Sequence, residues 1–144
     1  MPTKKRDFVE KNIIRTGRHC VFTMHVHLVF VTKYRFKVFS REILDYMEQI
    51  FKDICSSFEA ELIEFNGEED HVYLLVNYPP KMAVSKLVNS LKGVSSRKLR
   101  QKSPSFQERY WNGVLWSPSY FASSCGGAPI SIIKQYIEQQ QRPT

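Results

Sequence analysis

Along the stretch HCVFTMHVHLVFVTKYR (19–35), β-branched and aromatic residues predict a long strand. Its two-residue period sets Val26, Leu28 and Phe30 on one face and His25, His27, Val29 and Val31 on the other. Ser40 is placed to cap a helix over about 41–58, in which Leu44, Met47, Phe51, Ile54 and Phe58 recur at helical spacing. EAELIEFNG (59–67) alternates and ends on Asn66-Gly67, a turn signal, so it should pair with a strand over 71–78. Pro79-Pro80 stops that strand, because proline has no amide hydrogen to give a ladder. A second amphipathic helix follows over about 83–101, with Val84, Leu87, Val88, Leu91, Val94 and Leu99 inward and its bases outward. SYFASS (119–124) reads as a short fourth strand, and Gly126-Gly127 then breaks the chain. Pro129 suits the first turn of a last helix over roughly 129–141.

The order is β-α-β-β-α-β plus a C-terminal helix. That is an α+β, ferredoxin-like split βαβ plan: a four-stranded antiparallel sheet with two helices on one face. The other face is left to hold a site or a nucleic acid. With 144 residues, 42% of them hydrophobic, the chain suits a single domain over 1–144, preceded within it by a polar, basic segment at 1–18.

Charge changes this picture by its distribution. Residues 41–70 hold ten acids against two bases, whereas residues 81–110 hold eight bases against one acid, Glu108. Clustered bases suggest a nucleic-acid surface, with a solvated helix face as the plain alternative. Lys92, Arg97, Lys98 and Arg100 lie in that cluster, and Lys33, Arg35 and Lys37 follow the first strand, where they can hold phosphates. The aromatics Trp111, Trp116, Tyr120 and Phe121 are able to stack on bases, but core or dimer contacts are the better account of most. No apolar run approaches membrane-spanning length and the start has no apolar leader, so no membrane and a cytoplasmic location are expected. Cys20, Cys55 and Cys125 are odd in number and far apart, which fits reduced packing residues better than a disulfide or zinc framework.

The chemistry centres on EEDHVYLLVNYPP (68–80) and IIKQYIEQQ (132–140). A lone strand histidine, His71, is more often structural than a ligand, and the position two residues on is Tyr73, a phenol. In the tail, Tyr136 and Gln140 are four apart and project from one helix face. A tyrosine nucleophile suits attack on a DNA phosphodiester, because the phosphotyrosine keeps the bond energy for later rejoining. No glycine-rich phosphate loop, Ser-His-Asp set or zinc spacing competes.

Five segments in succession carry a resemblance: VFVTKYRFKVF (29–39), EEDHVYLLVNYPP, SKLVNSLKGVSSRKLR (85–100), WSPSYFASSCGGAP (116–129) and IIKQYIEQQ. Together they resemble the small single-tyrosine HUH transposases of bacterial and archaeal insertion sequences, over nearly all of the chain from about residue 19. The resemblance implies a homodimer that binds hairpins in single-stranded DNA at the element's ends. It also implies cleavage and joining that depend on Mg²⁺ or Mn²⁺. It makes His71 the first histidine of a histidine–hydrophobic–histidine motif with Val72 at its centre, Tyr136 the nucleophile and Gln140 a further metal ligand. In such dimers the nucleophile helix of one subunit can complete the site of the other.

Tyr73 departs from that pattern, since it stands where the family has its second histidine. The HVH at 25–27 has the motif's form but belongs to the first strand, from which His27 is the residue able to compensate. Glu68, Glu69 and Asp70 are the nearby charges. Two other readings stay open: a catalytically impaired or domesticated DNA- or RNA-binding protein that keeps the fold, and an RNA-recognition sheet. The second lacks the expected glycine–aromatic signature on its third strand.

Overall fold

In the computed structural model two short strands, β1 (Arg15–Thr16) and β2 (Val21–Phe22), pair antiparallel with each other ahead of the main sheet. The residues described are 14–16, 21–22, 24–104, 106, 114–124 and 130–140. Most of the segment 1–18, together with Cys20, Trp111, Cys125, Gly126, Gly127 and Pro129, lies outside them.

The main sheet contains β3 (His25–Val31), β4 (Glu61–Gly67), β5 (His71–Asn77) and β6 (Phe121–Ser123) in the spatial order β4-β5-β3-β6, every neighbouring pair antiparallel. Helices α1 (Arg41–Ser57) and α2 (Val84–Lys102) connect them, and α3 (Ile130–Gln139) follows β6. This is the split βαβ order expected from the sequence, with the extra C-terminal helix. No helix among the described residues is long and apolar enough to cross a membrane.

The sheet buries both faces of β3, as its two apolar sets require. Val26, Leu28 and Phe30 meet Val72, Leu74 and Val76 of β5 and the inner sides of α1 and α2 in one core. Phe30 and Phe51 pack edge to face there at 6.1 Å, the arrangement their ring quadrupoles favour. Ile50 and Cys55 join the expected core side of α1, and burial pushes the Cys55 thiol up to about 12, consistent with an unreactive packing residue. Val29 and Val31 point the other way and are covered by Ile137 of α3, with Tyr73, Phe121, Ile133 and Tyr136 around them. Ser40 caps α1 by accepting a hydrogen bond from the Ile43 amide (3.2 Å).

Several boundaries differ from expectation, among them the start of the first long strand, which begins at His25 while Val21–Phe22 pairs separately. Asn66 and Gly67 are paired to Tyr73 and Val72 within the ladder, and the reversal falls at 68–70, closed by the Glu68 amide on the His71 carbonyl (2.9 Å). The first strand ends at Val31 because Lys33–Arg35 forms a single 3-10 turn, with Tyr34 (φ 64°) and Arg35 (φ 56°) both left-handed. The fourth strand is only three residues long.

Candidate active site

Strand pairing and α3 together bring the two ends of the sequence signal to one corner of the sheet. His71, the first residue of β5, pairs with Val31 of β3. On the far side of Val31, its carbonyl accepts from the Ser117 amide (2.8 Å). Ile137 lies over Val29 and Val31, which sets the end of α3 above this corner. There the Gln140 side-chain oxygen, Oε1, accepts hydrogen bonds from the Ser117 hydroxyl (2.8 Å) and the Ser119 hydroxyl (3.2 Å). Ser119 also shares a hydrogen bond with the Tyr136 phenol (2.9 Å), whose ring rests on Phe121 at 5.8 Å between centroids. His71, Tyr136 and Gln140 therefore occupy the same end of the face that α1 and α2 leave uncovered. Burial raises the Tyr136 phenol above its ordinary range, and the Ser119 hydrogen bond works in the opposite direction.

Tyr73 turns away from a ligand role. Its hydroxyl lies 2.6 Å from Nδ1 of His27 on the neighbouring strand. Burial, and then the negative charge of Glu64, push its ionisation far above the ordinary phenol range, so it stays a neutral O–H. His27 is held neutral by burial and by the positive charge that His25 can carry. Here His27 is a hydrogen-bond partner of Tyr73.

Asp70 and the turn at 33–35 sit against His71. The Asp70 carboxylate accepts from His71 Nδ1 (2.9 Å) through one oxygen and from Arg35 Nε (3.3 Å) through the other. The His71 hydrogen bond is the largest of the influences that hold the Asp70 carboxyl below the ordinary carboxylate range and so favour its ionised form; burial opposes it, and the nearby charges of His71 and Arg35 act in the same sense as the hydrogen bond. Two consecutive left-handed non-glycine residues cost on the order of 1–3 kcal/mol each. Compensating bonds run from the Lys33 amide to Leu115 (2.8 Å), from the Arg35 amide to Thr32 (2.9 Å) and from the Thr32 hydroxyl to Phe36 (2.9 Å).

The candidate DNA-binding bases divide into two groups. Lys37, Arg97 and Lys98 are exposed, and Lys33 and Arg100 are half-exposed. Arg35 is turned onto Asp70 with 16% of its side chain exposed. Lys92 points inward: its ammonium donates to the carbonyls of Ser117 (2.7 Å), Pro118 (3.4 Å) and Ser119 (3.1 Å). It thereby fastens the loop whose hydroxyls hold Tyr136 and Gln140. Trp116 is core, with its indole N–H on the Ser95 hydroxyl (2.9 Å), and Phe121 backs the Tyr136 ring. The sequence alone does not single out Ser117, Ser119 or the inward role of Lys92; the spacing of two hydroxyls about Pro118 is the one available signal.

Known proteins match most of this chain. A family model described as "Transposase IS200 like" matches residues 20–140. The ISDra2 transposase TnpA of Deinococcus radiodurans is 34% identical over 127 residues, covering 88% of this chain and 91% of that protein. The transposase for insertion sequence element IS200 of Salmonella typhimurium is 30% identical over 131 residues, covering 91% and 83%. Among solved structures, a Deinococcus radiodurans R1 protein, itself described as a transposase, superposes with a TM-score of 0.81 at 32% identity, over 90% of this chain and 99% of that one. A REP-associated tyrosine transposase bound to a REP hairpin shares the fold, with a TM-score of 0.51 at 8% identity over 88% and 69%.

Proposed function

The chain belongs to the IS200-like transposase family, and from that premise we propose that it acts on hairpins of single-stranded DNA through a 5′-phosphotyrosine bond to Tyr136. The observation that carries this reading is the Ser117–Ser119 loop, which holds Tyr136 and Gln140 at the His71 end of the open sheet face. In the step proposed, the phenol oxygen bonds to phosphorus while the phosphorus–oxygen bond to the 3′ side breaks. The phenol gives up its proton to solvent and the leaving 3′ oxygen takes one up, so the departing strand ends in a 3′-hydroxyl, which can reverse the attack when strands are rejoined.

His71 and Gln140 are the residues that would hold Mg²⁺ or Mn²⁺. A bound divalent cation neutralises charge at the scissile phosphate and orients the bond. Both donors are neutral, and among the described residues no group of three or more His, Cys, Asp and Glu side chains is placed to hold a metal. This set suits a hard cation only when water and the DNA phosphate fill the remaining positions. A second reading follows from Tyr73: with its hydroxyl committed to His27, hairpin binding is kept and metal-dependent cleavage is weak.

Lys33, Lys37, Arg97, Lys98 and Arg100 are the bases we assign to phosphate contacts, since their side chains reach solvent. The working unit we propose is a homodimer. The apolar contact that holds α3 is small, centred on Val29, Val31 and Ile137, and an identical patch exists on a second copy. The experiment is covalent capture of a labelled hairpin oligonucleotide with Mn²⁺ present. A Tyr136-dependent adduct is expected in low yield. An adduct that persists in Tyr136→Phe would overturn the assignment.

A further inference from the structure

We propose that Asp70 is a positioning residue: clamped by Arg35, it fixes the His71 ring so that Nδ1 carries the proton and Nε2 presents its lone pair to the metal. The inference rests on the reading of His71 as a ligand and adds the group that makes it one.

The geometry is specific on both sides of the carboxylate. One Asp70 oxygen is 2.9 Å from His71 Nδ1 and the other is 3.3 Å from Arg35 Nε. An ionised carboxylate only accepts hydrogen bonds, so the hydrogen between Asp70 and His71 belongs to the imidazole. In a neutral ring that leaves Nε2 unprotonated, the state a divalent cation needs. A ligating histidine whose other nitrogen is held by a carboxylate is oriented and made more basic.

Asp70 itself cannot swing away. Its side chain is 10% exposed, and its backbone carbonyl accepts from the Thr32 amide (2.9 Å) and the Thr32 hydroxyl (3.3 Å). Arg35 reaches it from the left-handed turn, where Tyr34 and Arg35 have φ of 64° and 56°. The tight turn after β3 thus aims the guanidinium at Asp70. Its basic residue serves the histidine through Asp70.

The test uses the full chain labelled at histidine ring nitrogens. In the metal-free protein, nitrogen spectra assigned through His71→Ala and recorded with the ring in its neutral form should show His71 protonated at Nδ1 and not at Nε2. Asp70→Ala should remove that bias and weaken Mn²⁺ binding, read by electron paramagnetic resonance of the free ion, by about 10–100-fold. Asp70→Asn and Arg35→Met should fall between it and the unmodified chain. A neutral His71 ring with its proton on Nε2, or Mn²⁺ affinity unchanged in Asp70→Ala, would overturn the inference. If the alanine variant does not fold, the spectrum of the unmodified chain decides alone. His71→Ala separates the two levels. Should it leave Mn²⁺ binding intact, the ligand reading fails; should it abolish binding while Asp70→Ala does not, only the positioning role fails.

Discussion

The Tyr73 hydroxyl is bonded across the sheet to Nδ1 of His27 at 2.6 Å, on the same face as His71. The position that the resemblance assigns to a second histidine is therefore occupied by a phenol engaged with a different strand. Restoring the imidazole is the direct test. Tyr73→His should tighten Mn²⁺ binding at least about tenfold, roughly 1.4 kcal/mol, and raise the yield of hairpin adduct. Tyr136→Phe in that background should abolish the adduct. Alkaline buffer should not substitute for the histidine, because burial and Glu64 keep the phenol protonated well above its ordinary range. Full cleavage by the unmodified chain, unimproved by the histidine, would show that Tyr73 is no defect.

The same pair gives stability a pH dependence. Burial, then the charge of His25, lowers the ionisation of His27 below its ordinary value of 6.5, so the unfolded chain takes up the proton first. The contribution is fully present above 6.5 and is lost as pH falls from there towards the folded value. Urea unfolding at a series of pH values should show stability declining on the acid side of neutrality. His27→Gln, which keeps a polar partner for Tyr73 but does not titrate, should flatten that decline. Identical slopes in both chains would remove His27 from the account.

How much of this was legible in the sequence depends on whether a feature is local. The element order follows from periodicity, and the two faces of HVHLVFV assign themselves once a strand is drawn. Asn66-Gly67 misleads because a turn dipeptide also fits the end of a ladder, where the tight reversal comes one residue later. The directions of Arg35 and Lys92 were not legible. A base reads the same whether it faces solvent or a carboxylate, and their partners lie 35 and 25 to 27 positions away. Tyr136 and Gln140 could be placed on one helix face from spacing, but the serines that hold them belong to a loop with no periodic signal.

Subunit sharing is tested by mixing inactive chains. If α3 of one copy docks on the sheet of another through Val29, Val31 and Ile137, then His71→Ala and Tyr136→Phe chains complement each other. One composite site in the mixed dimer keeps both groups. We expect mixing to restore part of the cleavage seen in the Tyr73→His background, and sedimentation to show a dimer. Failure to complement in a stable mixed dimer would mean that α3 serves only its own sheet.

Lys92 and the exposed bases of α2 should respond differently to substitution, although all belong to one basic run. Arg97, Lys98 and Arg100 are assigned to phosphates, and each contact to single-stranded DNA contributes about 0.7 to the slope of log affinity against log salt. Replacing all three should lower that slope by about 2 and leave folding unaffected. Lys92 has no such part, because its ammonium is turned onto the three carbonyls of residues 117–119 and burial lowers its ionisation. Lys92→Met should therefore leave the salt slope unchanged. It should cost about 1.5–3 kcal/mol of stability, the range for hydrogen bonds to a charged group. It should also reduce adduct formation beyond any loss of DNA affinity, because Ser117 and Ser119 lose their anchor and with it their hold on Gln140 and Tyr136. Binding isotherms at several salt concentrations, read beside adduct yields at saturating DNA, separate the two effects. A lowered salt slope in Lys92→Met with normal adduct yield would return this lysine to the DNA surface.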